Sequence, residues 1–327
     1  VCAAFPHTEC AGYYEGMPDN LLDNLDVFYG ELTPARAMVY ARLEGLENTD
    51  GLSLNGFVRG PRCFYSTTLL STYPLSDAGP GPSLLAKALV TDPCYWSPET
   101  PNIYDVTVEL RRGQDVIASE VRQIGFRSIS IDGKNLTLDG KIWIPRGVPF
   151  DLVNEESLEH FRDTGTMVIL ESLNSALLQE ASSQGVWAAV RVRPEEGEFS
   201  GMSFSAIVRR LSQFPAVAFA IAEPKSADSI PPPTTPTNIR IGQYISPDRR
   251  VQSTKWGEFV VATDWLIKSQ QVATHKTMPL IAAAERNIKF PFSYFRRACD
   301  TLQQEWAAER QFAGYVVMTA KDRVIKR

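Results

Sequence analysis

The chain of 327 residues is short of the side chains that build metal centres, with only three histidines (His7, His160, His275) and five cysteines (Cys2, Cys10, Cys63, Cys94, Cys299). No CxxC pair and no Cys/His cluster occurs, so neither a zinc site nor any other cofactor is expected. Cys2 and Cys10 are near enough in sequence to pair, and isolated thiols are the simpler reading of all five. Basic charge is also in deficit: 33 Lys and Arg stand against 38 Asp and Glu, a net charge of −5. That balance argues against nucleic acid or an anionic membrane surface as the main partner. No apolar run approaches the roughly 20 residues of a membrane-spanning helix. No glycine-rich phosphate loop follows any strand-like segment, and no Ser-His-Asp or Cys-His spacing suggests a nucleophilic triad. No charged, apolar, small-residue leader follows Val1, and a chain that starts inside a longer protein would read the same way.

What is present is ordinary globular material. Hydrophobic residues make up 44% and charged residues 22%, so disorder is not the expectation. The length allows two or three domains, each with its own core.

The chain changes texture once, across Gln123–Val148. Residues 1–24 form an irregular, Gly/Pro-punctuated segment. From Leu25, the segments LDVFYGEL, ARAMVYARLEG, SLNGFVRG, CFYSTTLLSTYPL and SLLAKALVTD alternate in the period-2 manner of half-buried strands. YDVTVEL and DVIASEVRQIGFR then make a hairpin around Arg112-Gly113-Gln114. About seven short strands in such a span predict an immunoglobulin-like β-sandwich over 25–131. Asp132-Gly133 and Asp139-Gly140 are turn signals within a hairpin-like link, because Gly accepts positive φ without a Cβ clash. After Val148 the pattern becomes strand, helix, strand, helix. Gly165 and Gly185 close two helices, and the apolar runs TMVIL, VWAAVRV, AVAFAIA, NIRIGQYI, GEFVVAT, PLIAAA and FAGYVVM read as buried strands. Further helices are expected over MSFSAIVRRLSQF, LIKSQQVATHK and SYFRRACDTLQQEWAAERQ. With the strand at Trp143, eight strands predict a reduced (β/α)8 TIM barrel over 132–327. The fold class expected is therefore multidomain, β plus α/β. Trp96, Trp143 and Trp187 read as core or interdomain packing, and His160 and His275 as surface residues on helices.

Three segments carry a family resemblance. YWSPETPNIY (95–104), Ile124-Gly125-Phe126-Arg127 and LTLDGKIWIPRGV (136–148) resemble, in order and spacing, motifs of glycoside hydrolase family 2, the β-galactosidase, β-glucuronidase and β-mannosidase group. LDNLDVFYGEL and FAGYVVMTAKD are similar to the start of that family's middle sandwich and to its last barrel strand. The resemblance implies a sandwich followed by a barrel, a carbohydrate partner, and further domains of a longer chain. It also implies a retaining mechanism, with an acid/base Glu ending barrel strand 4 and a nucleophilic Glu ending strand 7. Retention needs two carboxyl groups about 5–5.5 Å apart, at the C-terminal ends of the barrel strands.

Set against the family pattern strand by strand, the chain departs from it. Pro149-Phe150-Asp151 replaces the Asn and His expected after Arg146-Gly147-Val148, and Ile169 occupies an Arg position. Val190-Arg191 stands at the end of strand 3, where the family has Asp-Glu. Counting from Pro215 places Pro224 and Lys225 on the Asn-Glu pair, with Glu223 two residues early. Counting from Pro279 places Ala284 on the nucleophile, with Glu285 one residue late. Glu223 and Glu285 are thus the catalytic candidates. Glu171, Lys225, Tyr244, Asp264 and Trp265 are the substrate-binding candidates at the same mouth, joined there by Asp322. An aromatic such as Trp265 can stack on a sugar ring, and helix-start packing is the plainer reading. Arg191, Arg193 and Lys225 are expected to pair with the glutamates and neutralise them. Two function classes follow: a non-catalytic carbohydrate-binding or structural relative, and an active hydrolase of β-linked sugars with displaced carboxylates.

Overall fold

A computed structural model describes residues 21–152, 157–193, 199–223, 238–245, 256–263, 278–287, 289, 291–308 and 311–320. Seven strands come first: β1 (Leu25–Gly30), β2 (Arg36–Leu43), β3 (Leu52–Arg62), β4 (Ser71–Asp77), β5 (Leu84–Thr91), β6 (Ile103–Arg112) and β7 (Asp115–Ile124). They pair antiparallel in the order β1-β2-β5-β4-β3-β6-β7. Strands β1, β2, β5 and β4 form one face and β3, β6 and β7 the other, which is the immunoglobulin constant-type arrangement. Strand β4 pairs with both β3 and β5, so the two faces join as one curled sheet.

Alternation explains the core. Strand β2 turns Ala37, Val39, Ala41 and Leu43 inward, and β5 turns Leu84, Ala86, Ala88 and Val90 inward. They meet Leu54 and Val58 of β3 and Val106, Val108 and Leu110 of β6. Because side chains alternate with period 2, a one-residue slip would expose each of these rows. One expected strand segment is shorter than the pattern suggested. Residues 63–70 (CFYSTTLL) form a loop, since β3 ends at Arg62 and β4 begins at Ser71. Their apolar side chains have no facing sheet, and Phe64 is 69% and Leu69 90% exposed.

The link that follows is also more than a hairpin. Strands β8 (Ile129–Asp132), β9 (Asn135–Leu138) and β10 (Lys141–Trp143) make a separate three-stranded antiparallel sheet in the order β10-β9-β8. The two Asp-Gly signals each close a hairpin of their own. At the second, Asp139 (φ 50°) and Gly140 (φ 77°) both take positive φ, as a two-residue type I′ turn demands.

Eight parallel strands then close into a barrel: β11 (Arg146–Pro149), β12 (Met167–Leu170), β13 (Ala188–Val192), β14 (Val217–Ala222), β15 (Arg240–Ile245), β16 (Phe259–Thr263), β17 (Leu280–Arg286) and β18 (Gly314–Thr319). Closure is made by Arg146 opposite Tyr315 and Gly147 opposite Val316. Strands β12, β13, β14 and β16 are buried at every position. Continuous apolar runs are what a sheet covered on both faces requires. Among the described residues the α-helices between them are α1 (Leu158–Asp163), α2 (Ser175–Gln184), α3 (Phe204–Ser212) and α4 (Phe295–Trp306). Helix α2 starts where the Asn174 side chain accepts from the Leu177 backbone N–H, and it stops at Gly185 with φ 73°. A Cβ on Gly185 would stand 2.3 Å from the Pro98 carbonyl oxygen, so the helix end and the sandwich touch there. Helix α4 buries Phe295, Cys299, Leu302 and Trp306, a stripe at helical spacing. The helix expected over residues 266–276 lies outside the described residues.

The sandwich and barrel are joined through the motif residues. Trp96 is fully buried, and its Nε1 donates to the Ser182 carbonyl of α2 at 2.8 Å. Its ring meets Trp187 edge-on at 4.6 Å, and Trp187 in turn lies 5.1 Å from Trp143. The buried Arg127 guanidinium donates to the carbonyl oxygens of Pro215 and Val217, where β14 begins. The three tryptophans thus pack in one cluster, consistent with the core or interdomain role read from the sequence. His160 sits half-buried in α1.

Candidate active site at the barrel mouth

The strand ends gather a charged cluster. Glu171 follows β12, Arg191 lies within β13, Arg193 follows it, and Glu223 follows β14. Tyr244 comes from β15 and Glu285 from the C-terminal end of β17. The strands are parallel and run to the same end, so these side chains share the C-terminal mouth of the barrel.

Arg191 is the hub. Its Nε donates to Glu223 Oε2 at 2.9 Å, and its Nη2 lies 2.8 Å from the same oxygen. Its Nη1 reaches Glu171 Oε1 at 3.3 Å and the Thr319 carbonyl of β18 at 3.3 Å. Arg193 bridges the same two carboxylates, with Nη2 at 2.6 Å from Glu171 and Nε at 3.0 Å from Glu223. Burial works against the charge of Arg191, but Glu171 and Glu223 outweigh it and hold the guanidinium pKa above its ordinary value.

A second contact chain starts on the far side of Arg191. Its guanidinium carbon lies 4.3 Å from the centre of the Tyr244 ring, within cation–π range. The Tyr244 hydroxyl donates to Glu285 Oε1 at 2.5 Å. Burial, reinforced by the nearby Glu285 charge, pushes the Tyr244 pKa well above the usual phenol range despite the opposing pull of Arg191. The phenol therefore stays a hydrogen-bond donor at any physiological pH. Contacts thus run continuously from Glu285 through Tyr244 and Arg191 to Glu223.

Among the residues marked in the sequence, Glu171, Glu223, Tyr244 and Glu285 come together here, along with Arg191 and Arg193. Lys225, Asp264, Trp265 and Asp322 lie outside the described residues. Sequence reasoning passed over Gln243 and Thr263, which are buried at 5% and 2% exposure in β15 and β16. The signal was a single polar residue inside an otherwise apolar run. Among the described residues no group of His, Cys, Asp and Glu is arranged to hold a metal ion, and no helix is long and apolar enough to cross a membrane.

The architecture is a four-on-three immunoglobulin-like sandwich followed by a parallel eight-stranded barrel whose strand ends carry acidic residues. Residues 69–127 match the pattern of glycosyl hydrolases family 2. A β-galactosidase of Leuconostoc mesenteroides is 29% identical over 141 residues, 42% of this chain and 13% of that enzyme. One from Klebsiella pneumoniae is 48% identical over 59 residues, 18% of this chain and 6% of that enzyme. Among solved structures, a glycosyl hydrolase family 2 member from Bacteroides cellulosilyticus superposes with a TM-score of 0.60 at 15% identity, over 91% of this chain and 43% of that one. A putative β-galactosidase from Bacteroides fragilis gives 0.57 at 11% identity, over 91% and 54%. The chain thus spans about half the length of these structures or less, and a much smaller part of the curated relatives.

Proposed function

We propose that this carbohydrate-active protein keeps the family 2 scaffold without retaining hydrolysis by Glu223 and Glu285, serving as a non-catalytic carbohydrate-binding or structural relative. The observation that carries this reading is the enclosure of Glu223, 4% exposed, between Arg191 and Arg193. Two guanidinium groups converge on Glu223 Oε2, and a carboxyl engaged by both is not placed to hand a proton to a glycosidic oxygen. The same two arginines also tie down Glu171, the nearest alternative acid.

One contact favours a second reading. The Tyr244 hydroxyl orients Glu285 from β15, across the intervening β16, which suits a carboxylate held ready for nucleophilic attack in a retaining O-glycosyl hydrolase of β-linked sugars. The deciding experiment is turnover of aryl β-glycosides by the wild-type chain and by Glu285→Gln. No turnover by the wild type is expected. Wild-type turnover that Glu285→Gln abolishes would overturn the non-catalytic reading in favour of the hydrolase. Turnover that Glu285→Gln leaves intact would overturn both readings, since the chain would then be catalytic without Glu285 as nucleophile.

A further inference from the structure

The loop at residues 63–70, which the strand pattern did not anticipate, encloses a cavity of about 350 Å³. Its walls are Arg62, Cys63, Phe64, Thr68 and Leu70, closed by Pro101 and Ile103 at the start of β6 and by Ser183 of the barrel helix α2. The volume falls at the low end of the roughly 300–1,000 Å³ of small-molecule sites. It lies at the sandwich–barrel seam, beside the C-terminal end of α2. Barrel helices run opposite to their strands, so this is the end of the barrel away from Glu223 and Glu285.

The loop is held open by specific contacts. The Tyr65 hydroxyl donates to the Gln184 carbonyl at 3.1 Å, and Arg162 of α1 lies 4.4 Å from the Tyr65 ring centre. Phe64 stands edge-to-face on that anchored ring at 5.0 Å while remaining 69% exposed. An exposed aromatic thus lines a cavity, backed by a ring that is itself tied to the barrel. The polar groups around it are oriented too. Thr68 Oγ1 donates to the Pro61 carbonyl at 2.5 Å, and Ser183 Oγ donates to the Glu180 carbonyl at 2.8 Å. Each hydroxyl has spent its proton, which leaves oxygen lone pairs to accept from ligand hydroxyls.

We infer that this cavity is an accessory carbohydrate site taking a single neutral pyranose ring. Phe64 offers a negative aromatic face to the C–H face of the sugar, and the Thr68 and Ser183 oxygens accept from its hydroxyls. Neutrality follows from Arg62. Its Nε and Nη2 are both bonded to Asp105 at 2.7 Å, so its charge is already matched and a uronate carboxylate gains little there. The small volume selects one ring over an extended oligosaccharide.

The inference rests on the carbohydrate-active reading above, and its test separates the two. Binding of methyl β-D-galactopyranoside, methyl β-D-glucopyranoside and glucuronic acid is measured by titration calorimetry and saturation-transfer NMR on the whole chain. The neutral glycosides are expected to bind and glucuronic acid to bind at least tenfold more weakly. Phe64→Ala, at an exposed position that does not threaten folding, is expected to weaken neutral-sugar binding about tenfold. Leu70→Trp, which fills the cavity, is expected to do the same. Binding lost in Glu285→Gln but kept in Phe64→Ala and Leu70→Trp would overturn the seam site and leave the carbohydrate reading standing. Absence of saturable binding by any glycoside would overturn both.

Discussion

Arg191 Nη2 lies 2.8 Å from Glu223 Oε2, with 1% and 2% of the two side chains exposed. A pair this deeply buried contributes little net stability when complete, because both ions were taken out of water, yet breaking it leaves a bare charge behind. Arg191→Met is therefore expected to destabilise the barrel by about 3–5 kcal/mol, read as a lower midpoint in urea. The double variant Arg191→Met/Glu223→Leu is expected to recover a large part of that loss, because no uncompensated buried charge remains.

The Arg127 fork predicts a coupling between sandwich and barrel. Its two charged hydrogen bonds to the Pro215 and Val217 carbonyls contribute on the order of 1.5–3 kcal/mol each. Arg127→Lys cannot span two acceptors with one point donor, so it is expected to behave nearly like Arg127→Ala. Hydrogen exchange would show the loss first in the β14 amides. Unchanged protection there in Arg127→Ala would contradict the assignment.

Gly125 predicts a packing cost at the same seam. A Cβ there would stand 2.8 Å from the Cβ atoms of both Pro215 and Trp96. Overpacking of this kind costs about 1–3 kcal/mol, so Gly125→Ala is expected to lower Tm by several degrees. Gly133→Ala faces open space and is expected to cost less, its penalty coming only from the positive φ.

Cys299 predicts a pH dependence. The thiol is fully buried in α4, and burial pushes its pKa up from 9.0 to about 12. The unfolded chain loses this proton near pH 9 and the folded chain holds it further, so the raised group acts in one direction. Its contribution is intact below about pH 9 and is lost progressively as pH rises toward 12, at no more than about 1.4 kcal/mol per pH unit. Cys299→Ala is expected to flatten the stability profile between pH 9 and 11. At pH 8 iodoacetamide is expected to label Cys63 and Cys94, which are accessible, and to reach Cys299 only in denaturant, since the thiolate is the reactive form.

The contrast between Tyr244 and Phe64 shows what a linear reading can hold. Tyr244 was legible as a mouth residue because it ends an apolar run, and strand ends map onto one face of a parallel barrel. Glu171, Glu223 and Glu285 were legible for the same reason. Phe64 was read as part of a strand, since CFYSTTLLSTY has β propensity throughout. Propensity does not say whether a facing sheet exists, and here β4 begins only at Ser71. The three-stranded sheet β8–β10 was half legible. Both Asp-Gly turns were seen, but their joint consequence needs the chain to fold back twice.

Periodicity and turn residues by themselves determined the sandwich, the barrel and their order, because alternation and apolar runs are local consequences of which faces are buried. The first barrel strand, expected at Trp143, instead runs Arg146–Pro149, and Trp143 belongs to the three-stranded sheet. The family motifs around Trp96, Arg127 and Arg146 were equally open to reading. Only the tertiary structure decided what the acidic strand ends do. Glu223 comes from one strand, its arginine partners from another, and Tyr244 and Glu285 from two more, so their pairing depends on barrel register. That arginines would meet these carboxylates was open to a strand-end reading, but not that Arg191 and Arg193 would both converge on Glu223 while Glu285 turns toward Tyr244.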